Sequence, residues 1–358
     1  MLELLLAQRA RGCEAELACP GAPAGAASSV MCQARAAGVE PALEMTRGRG
    51  AIGWRDGGDV RRLRALVNRR RFEVLHTWHT RDHVLALRAA AGPRRAGLTR
   101  IVRSYARADR IPDRPWNRWL FGRATDGLLC VSPGAAARNA GLRRGRALAG
   151  VFGAVDLDRF RPHAPQASVR KGLGLRPEHR VVGIAARVQR HRRFDLLLEA
   201  AARLVRREPD ARLLIVGRGS HIEELAVAPA ERLGIRERVI FAGYRSEDYA
   251  DVLRSIDVFT FLVPGSDGGC RALVEAAACG IPAVTTRRGA LPEIVVDGQT
   301  GLVVAEEADA LCAAWCRLLA DTALRDDMGE AARRRAERHF SRDGVAAEVE
   351  RFYRALCR

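Results

Sequence analysis

Residues 257–304 leave this chain few ways to fold. An apolar run over 257–263 predicts a buried strand. Gly268 and Gly269 then open a helix that ends at Cys279 and Gly280, where glycine suits a left-handed C-cap. A second short strand is predicted over 281–285. A strand, a glycine-bearing loop and a helix start, in that order, make an anion site. Unpaired backbone N–H groups and the positive end of the helix dipole converge on one point there. Asp267 and Glu275 bracket the helix start, and Ala276, Ala277 and Ala278 are small enough for the helix to press close to a sheet. Spacing alone is equally compatible with an ordinary strand–helix–strand unit.

The rest of the chain repeats that rhythm. Helices are predicted over 2–11, 31–37, 61–70, 82–91, 116–122 and 133–141, and extended segments over 13–19, 39–45, 72–77, 100–104, 127–131 and 147–152. Proline, glycine and mixed polar residues break the alternation over 153–177, which predicts a linker. A second series starts at 181–187, with strands near 213–216, 239–242, 258–263, 281–285 and 302–304, and an amphipathic helix over 345–356 closes the chain. Strands alternating with helices at this spacing predict parallel, doubly wound α/β sheets. The organisation expected is a first domain over 1–152, a linker over 153–177, a second domain over 178–341 and a last helix over 342–358.

At 358 residues the chain is long enough for two such domains. No apolar run reaches the eighteen residues a membrane helix needs, and the opening segment is too short and too acidic for a secretory signal. The nine cysteines show no Cys-x-x-Cys pair and no Cys/His cluster with zinc spacing, so they are read as reduced thiols of a cytoplasmic protein. Charge is lopsided. Residues 1–161 hold 29 arginines against 14 acids, whereas the remainder holds 31 basic and 28 acidic residues. A basic half-protein attracts something acidic: a phosphorylated glycan, an anionic membrane surface or nucleic acid. No nucleic-acid motif accompanies the charge.

The order of residues in the 264–304 stretch resembles the nucleotide-sugar motif of family 4 (group 1) glycosyltransferases. That signature is Glu-x7-Glu followed by a Gly-x-Pro-Glu-Ile-Val-x-Asp-Gly-x-x-Gly string. Asp267 stands where the first glutamate is expected and Glu275 matches the second; Pro292, Glu293, Ile294, Val295, Asp297, Gly298 and Gly301 match the rest, with Gly289 one residue ahead of the string's first glycine. Arg187 and Arg192 align with the Arg and Lys of the family's Gly-Arg-Leu-x-x-x-Lys-Gly segment, which hold the diphosphate. A guanidinium can replace the ammonium there, with a different reach. Gly217 and Gly219 form only a lone Gly-x-Gly, with Ile222 where a third glycine would complete a dinucleotide fingerprint. Gly243 and Tyr244 fall where the family's backbone reads the base.

In the first half, the segment around His76, Trp78 and His79 is similar to a Val-His-x-His strand end that places a histidine against the transferred sugar; His79 is favoured over His76. Asp156 and Asp158 spell Asp-x-Asp, yet they lie in a string that matches the family's linker, so no metal site is expected.

The resemblance implies a GT-B fold, two Rossmann-like lobes facing across a cleft, with the last helix crossing back to the first lobe. It implies transfer of a sugar from a nucleoside diphosphate sugar with retention, needing neither cofactor nor metal. His79 and Asp267 would be the catalytic residues. Arg187, Arg192, Gly217, Gly243, Tyr244, Gly268, Gly269, Cys270, Arg271, Ala272 and Glu275 would bind the donor. The acceptor expected from charge is an anionic cell-envelope glycan or lipid-linked sugar, with peripheral contact at the inner membrane face. Family chains open with a strand and a glycine-rich loop, and this one begins inside what reads as the following helix, so the expectation is either a start codon assigned too late or a first lobe that lacks its leading strand. A non-catalytic GT-B binding or scaffold protein, and a GT-B sugar-nucleotide epimerase, are the alternatives.

Overall fold

The computed structural model describes residues 1–22, 29–48, 56–264 and 269–358. They form two compact units, Met1–Ala154 with Arg342–Arg358, and Val155–Ser341.

The first unit carries β1 (Ala18–Pro20), β2 (Leu43–Met45), β3 (Val74–Thr77), β4 (Arg100–Tyr105), β5 (Gly127–Cys130) and β6 (Leu148–Gly150). β1 pairs with β2, and β3 to β6 form a second sheet in chain order, every pairing parallel. Successive residues of β4 face opposite sides, as a strand requires. Ile101 joins a cluster with Leu63, Val67, Leu85 and Ala86, from the helices Gly57–Arg70 and Thr80–Ala89. Val102 joins Leu129 and Val349, with Leu4 and Phe352 packed against them. The final helix, Arg342–Cys357, thus covers this sheet beside the first helix, Leu2–Ala10. Glu350 accepts two hydrogen bonds from Arg11, at 2.9 and 3.2 Å. A Cβ on Gly127 would lie 2.6 Å from Leu356 Cδ1, so the absence of a side chain lets that helix settle on β5.

The second unit carries β7 (Arg180–Ala185), β8 (Ala211–Val216), β9 (Val239–Gly243), β10 (Val258–Phe261), β11 (Ala283–Thr286) and β12 (Gly301–Val304). Their order is β12-β11-β10-β7-β8-β9, all parallel. The near-continuous apolar runs of β7, β8, β10 and β11 are what a sheet covered on both faces demands. Helix Phe194–Arg207 lays Leu197, Leu198, Ala201 and Leu204 on one face, against Leu311, Trp315 and Leu318 of the helix Ala308–Ala320. Trp315 Nε1 donates to Thr260 Oγ1 at 2.9 Å, satisfying both buried groups.

All three sheets are therefore parallel and the architecture is α/β, as expected, while several boundaries differ. Of residues 13–19 only Ala18 and Cys19 belong to a strand; Leu17 instead accepts from Ala42 N in the approach to it. Of 39–45 only Leu43–Met45 pairs. The strand predicted over 281–285 starts at Ala283, because Pro282 has no N–H to give and contributes only its carbonyl, to Phe259 N. Residues 116–122 are not one helix: Pro115–Asn117 gives way to a wider π-turn over Arg118–Arg123. Within 153–177, Ala167–Gly172 is helical.

Candidate functional site

Strand order in the second unit reverses between β7 and β10: β8 and β9 build outward on one side, β11 and β12 on the other. Loops leaving the carboxyl ends of two such strands part in opposite directions and open a crevice.

The loop after β7 brings two arginines to that point. Arg187 is exposed, and among the described residues its guanidinium has no hydrogen-bond or ion-pair partner. Arg192 is half-buried; its Nη1 donates to Val263 O at 2.9 Å and its guanidinium carbon lies 5.3 Å from the Phe261 ring centre. Arg193, at φ 58°, turns the chain into the next helix while holding Asp195 and Glu306. Glu306 also holds Arg288, so loops after β7, β11 and β12 share one carboxylate.

The loop after β10 ends in the helix Arg271–Ala278. Asp267 and Gly268 lie outside the described residues. Gly269 is half-buried; Cys270 is buried and sits at φ 49° as the residue before the first turn, a conformation uncommon for a residue with a side chain. Arg271 and Ala272 supply the first-turn amides, at the positive end of the helix. Leu273, Val274, Ala276 and Ala278 are buried against the sheet. Glu275 shares the burial, at 4% exposure. Arg271 Nε donates to its Oε1 at 2.8 Å and the Tyr249 hydroxyl bonds to it as well. Burial pushes the Glu275 carboxyl above the usual range, and these two partners pull partly against it.

Glycines fix the neighbouring loops. A Cβ on Gly217, at φ 138°, would lie 2.1 Å from Ala186 O, and one on Gly219 2.2 Å from Val188 O. The β8 loop therefore lies directly on the β7 loop, and Gly217 N donates to Gly243 O at 2.8 Å. Tyr244 is exposed, with the Arg218 guanidinium 4.9 Å from its ring centre. One end of one sheet thus gathers Arg187, Arg192, Gly217, Gly243, Tyr244, Gly269, Cys270, Arg271, Ala272 and Glu275.

Other predicted features do different work. The Gly289–Gly301 string starts with the short helix Leu291–Ile294 and ends in a turn: Asp297 Oδ1 accepts from Val303 N at 2.9 Å, Thr300 Oγ1 from Val296 N at 2.9 Å, and Gly298 N donates to Gly301 O. Asp156 Oδ1 accepts from Asp158 N and Arg159 N, shaping the chain at the start of the second unit. No group of His, Cys, Asp and Glu among the described residues is arranged to hold a metal.

His79 belongs to the first unit, exposed at the start of helix Thr80–Ala89, where it caps that helix reciprocally with Asp82. His76 and Trp78 turn to a common side, their rings 3.8 Å apart. His76 bridges the Tyr353 hydroxyl and Ser104 Oγ at 2.5 and 2.7 Å, and burial holds its imidazole well below the usual pKa. Sequence reasoning did not single out Tyr249, Phe261, the Val263 carbonyl or Glu306. All four act through tertiary contacts, and none carries a local spacing signal.

Comparison with known proteins places the chain in a family. Residues 1–159 match the model described as Glycosyltransferase Family 4, and residues 166–335 that described as Glycosyl transferases group 1. A D-inositol 3-phosphate glycosyltransferase of Mycobacterium sp. (strain JLS) is 42% identical over 156 residues, covering 42% of this chain and 34% of that protein. A GDP-mannose-dependent alpha-(1-6)-phosphatidylinositol monomannoside mannosyltransferase of Mycolicibacterium smegmatis is 38% identical over 191 residues, 50% of this chain and 49% of that one. The chain thus spans about a third to a half of the length of these curated relatives. Among solved structures, HepE of Anabaena in complex with UDP and glucose superposes with a TM-score of 0.80 at 18% identity, over 99% of this chain and 96% of that chain. That likeness shows the two-lobed GT-B fold.

Proposed function

Because this chain belongs to the group 1, family 4 glycosyltransferases, we propose that it transfers a sugar from a nucleoside diphosphate sugar to an acceptor hydroxyl, with retention and without a metal. The observation that carries this reading is the meeting of Arg187, Arg192 and the start of helix Arg271–Ala278 at the strand-order reversal. A diphosphate placed there would meet two guanidinium groups and a set of fixed amides, which favour negative charge as it grows on the departing phosphate. Front-face attack needs no protein nucleophile, since the leaving phosphate takes the proton of the incoming hydroxyl. Asp267 is assigned to the donor sugar's hydroxyls and Glu275 to the ribose, which would take the place Arg271 now holds on that carboxylate. The backbone around Gly243 and Tyr244 is assigned to the base, and His79 to the transferred sugar.

The acceptor we propose is phosphorylated or lipid-linked and anionic. The surplus of arginine over acid in residues 1–161 supports it, as do relatives whose names carry an inositol phosphate and a phosphatidylinositol mannoside. Peripheral contact at an anionic membrane surface fits the same charge; no helix among the described residues is long and apolar enough to cross a membrane. Calorimetry with UDP, GDP and ADP, followed by product analysis on a panel of donors, tests the reading. Binding of a nucleoside diphosphate with sugar transfer supports it, binding without transfer gives the non-catalytic alternative, and no binding to any of the three overturns both.

A further inference from the structure

The loops after β7, β8 and β9 carry several arginines to the carboxyl end of the six-stranded sheet, and most of them are engaged. Arg190 pairs with Glu224 at 2.6 Å, Arg193 with Asp195 and Glu306, and Arg245 with Asp248. Arg192 donates to the Val263 carbonyl, and Arg187 is assigned above to the diphosphate. Arg218 is left over. It is exposed, and among the described residues it has no hydrogen bond or ion pair; its guanidinium lies over the exposed ring of Tyr244, 4.9 Å from the centre. The backbones beneath these two side chains are fixed. Gly217 and Gly219 press the loop that carries Arg218 onto Ala186 and Val188, and Arg218 O accepts from Val188 N at 3.2 Å. Gly243, at φ 68°, makes the turn that carries Tyr244, and its carbonyl accepts from Gly217 N. An unengaged fork of N–H donors and an open aromatic face therefore stand side by side on a rigid base.

Resting on the donor reading above, we infer that the side chains of Arg218 and Tyr244 form a guanine-selective base seat, so that the donor is a guanosine diphosphate sugar. The base takes the place on the Tyr244 ring that the guanidinium now holds, and the displaced guanidinium turns its fork to the base's O6 and N7. The exchange is favourable by magnitude. An exposed cation–π contact holds by a factor of about 2–5, whereas base stacking and a bidentate guanidinium contact are each worth about 5- to 150-fold. The ring accepts any base, because every base has a π-face; the choice falls to Arg218, which has donors and no acceptor. Guanine alone sets two acceptors, O6 and N7, side by side. Adenine carries an amino group where guanine has O6, and cytosine carries one at N4, so either would set donor against donor. Uracil offers O4 with a C–H beside it and satisfies one arm of the fork. Arg245 does not compete for this role, since Asp248 Oδ1 holds its Nε at 3.0 Å.

The test is calorimetry on the full chain with GDP, inosine diphosphate, 7-deaza-GDP, UDP and ADP. GDP and inosine diphosphate share O6 and N7, and both should bind about tenfold or more tighter than UDP and ADP. In 7-deaza-GDP a C–H replaces N7, and its affinity should fall below that of GDP by about threefold or more. Arg218→Ala should bring GDP down to the level of UDP while leaving UDP and ADP within about threefold. Arg218→Gln should raise the ratio of ADP to GDP affinity by about tenfold or more, since an amide matches the acceptor and donor of adenine. Tyr244→Leu should weaken every nucleotide by a similar factor, because stacking does not read the base. Both side chains are exposed, so the thermal midpoints of the variants should stay at the wild-type value. Absence of a GDP preference, or a preference that survives in both Arg218 variants, overturns the base seat and leaves sugar transfer standing. Inosine diphosphate binding as weakly as UDP places the selection at the N2 amino group and equally overturns it. Failure of every nucleoside diphosphate to bind overturns the transfer reading on which the inference rests.

Discussion

Arg192 Nη1 donates to Val263 O at 2.9 Å, joining the loops that leave β7 and β10 on opposite sides of the strand-order reversal. With Phe261 beneath its guanidinium, the side chain is held in place before any anion arrives. Arg192→Ala should weaken UDP or GDP binding by about 10- to 100-fold, the loss expected for a charge-assisted contact. Arg192→Lys should restore part of it, since a point charge remains but the fork does not. Calorimetry on both variants checks this.

Glu275 gives a pH signature. Burial raises its carboxyl pKa in the folded protein above the ordinary 4.5, so between 4.5 and that raised value the folded form holds the extra proton. The stabilisation is complete below 4.5 and is lost as pH rises through the folded value. Glu275→Gln should flatten the pH dependence of the urea midpoint above 4.5 while removing nucleotide binding. Glu275→Lys should also abolish binding, and the glutamine variant separates that loss from misfolding.

Gly217 and Gly57 make a matched pair. Alanine at 217 would drive a Cβ to 2.1 Å from Ala186 O at a backbone angle of 138°, whereas alanine at 57 meets nothing within 4 Å. Gly217→Ala should cost about 1–3 kcal/mol, read as a fall in the thermal midpoint. Gly57→Ala should be neutral or stabilise by a few tenths of a kcal/mol or more.

Two histidines of the first unit should make it acid-sensitive. Burial holds His83 down at about 3 and His76 well below 6.5. Unfolded chains take up these protons near 6.5, so the stability tied to the neutral rings is present above that pH. It is lost as pH falls toward the folded values. His83→Leu should shallow the loss of stability between pH 6.5 and 4, followed by circular dichroism in urea.

Trp116 and Trp119 are exposed at 52% and 45%, with rings 5.0 Å apart, among the exposed Arg110, Arg114, Arg118 and Arg123. If the peripheral membrane contact proposed above uses this surface, flotation with phosphatidylglycerol vesicles should fall at least tenfold in a Trp116→Ala/Trp119→Ala double variant. It should also weaken steeply between 50 and 300 mM salt, on the order of the screening expected for exposed charge.

The six-stranded sheet of the second unit could be read from the sequence because its strands are mostly apolar runs bounded by glycines and prolines, a pattern set by burial on both faces. Less was legible where pairing depends on a distant partner. Cys13 to Leu17 alternate like a strand yet meet none, and β1 is reduced to Ala18–Pro20. At the candidate site, the positions of Arg192 and Glu275 followed from order and spacing. Their partners did not: Val263 offers a carbonyl, which no side-chain pattern encodes, and Tyr249 reaches Glu275 from a different helix.

The two halves of the six-stranded sheet meet along a narrow seam. β7 aligns with β8 over six residue pairs but with β10 over only two, Val182 with Val258 and Gly183 with Phe259. Below, the seam is riveted by Val181 N donating to Asp257 Oδ2 at 2.6 Å and Asp257 N to Val181 O at 2.8 Å. Above, no strand pairing continues. A molecule lodged between the two loops would therefore act as a rivet at the open end, and the lobe should resist unzipping into its two halves most strongly when it is loaded.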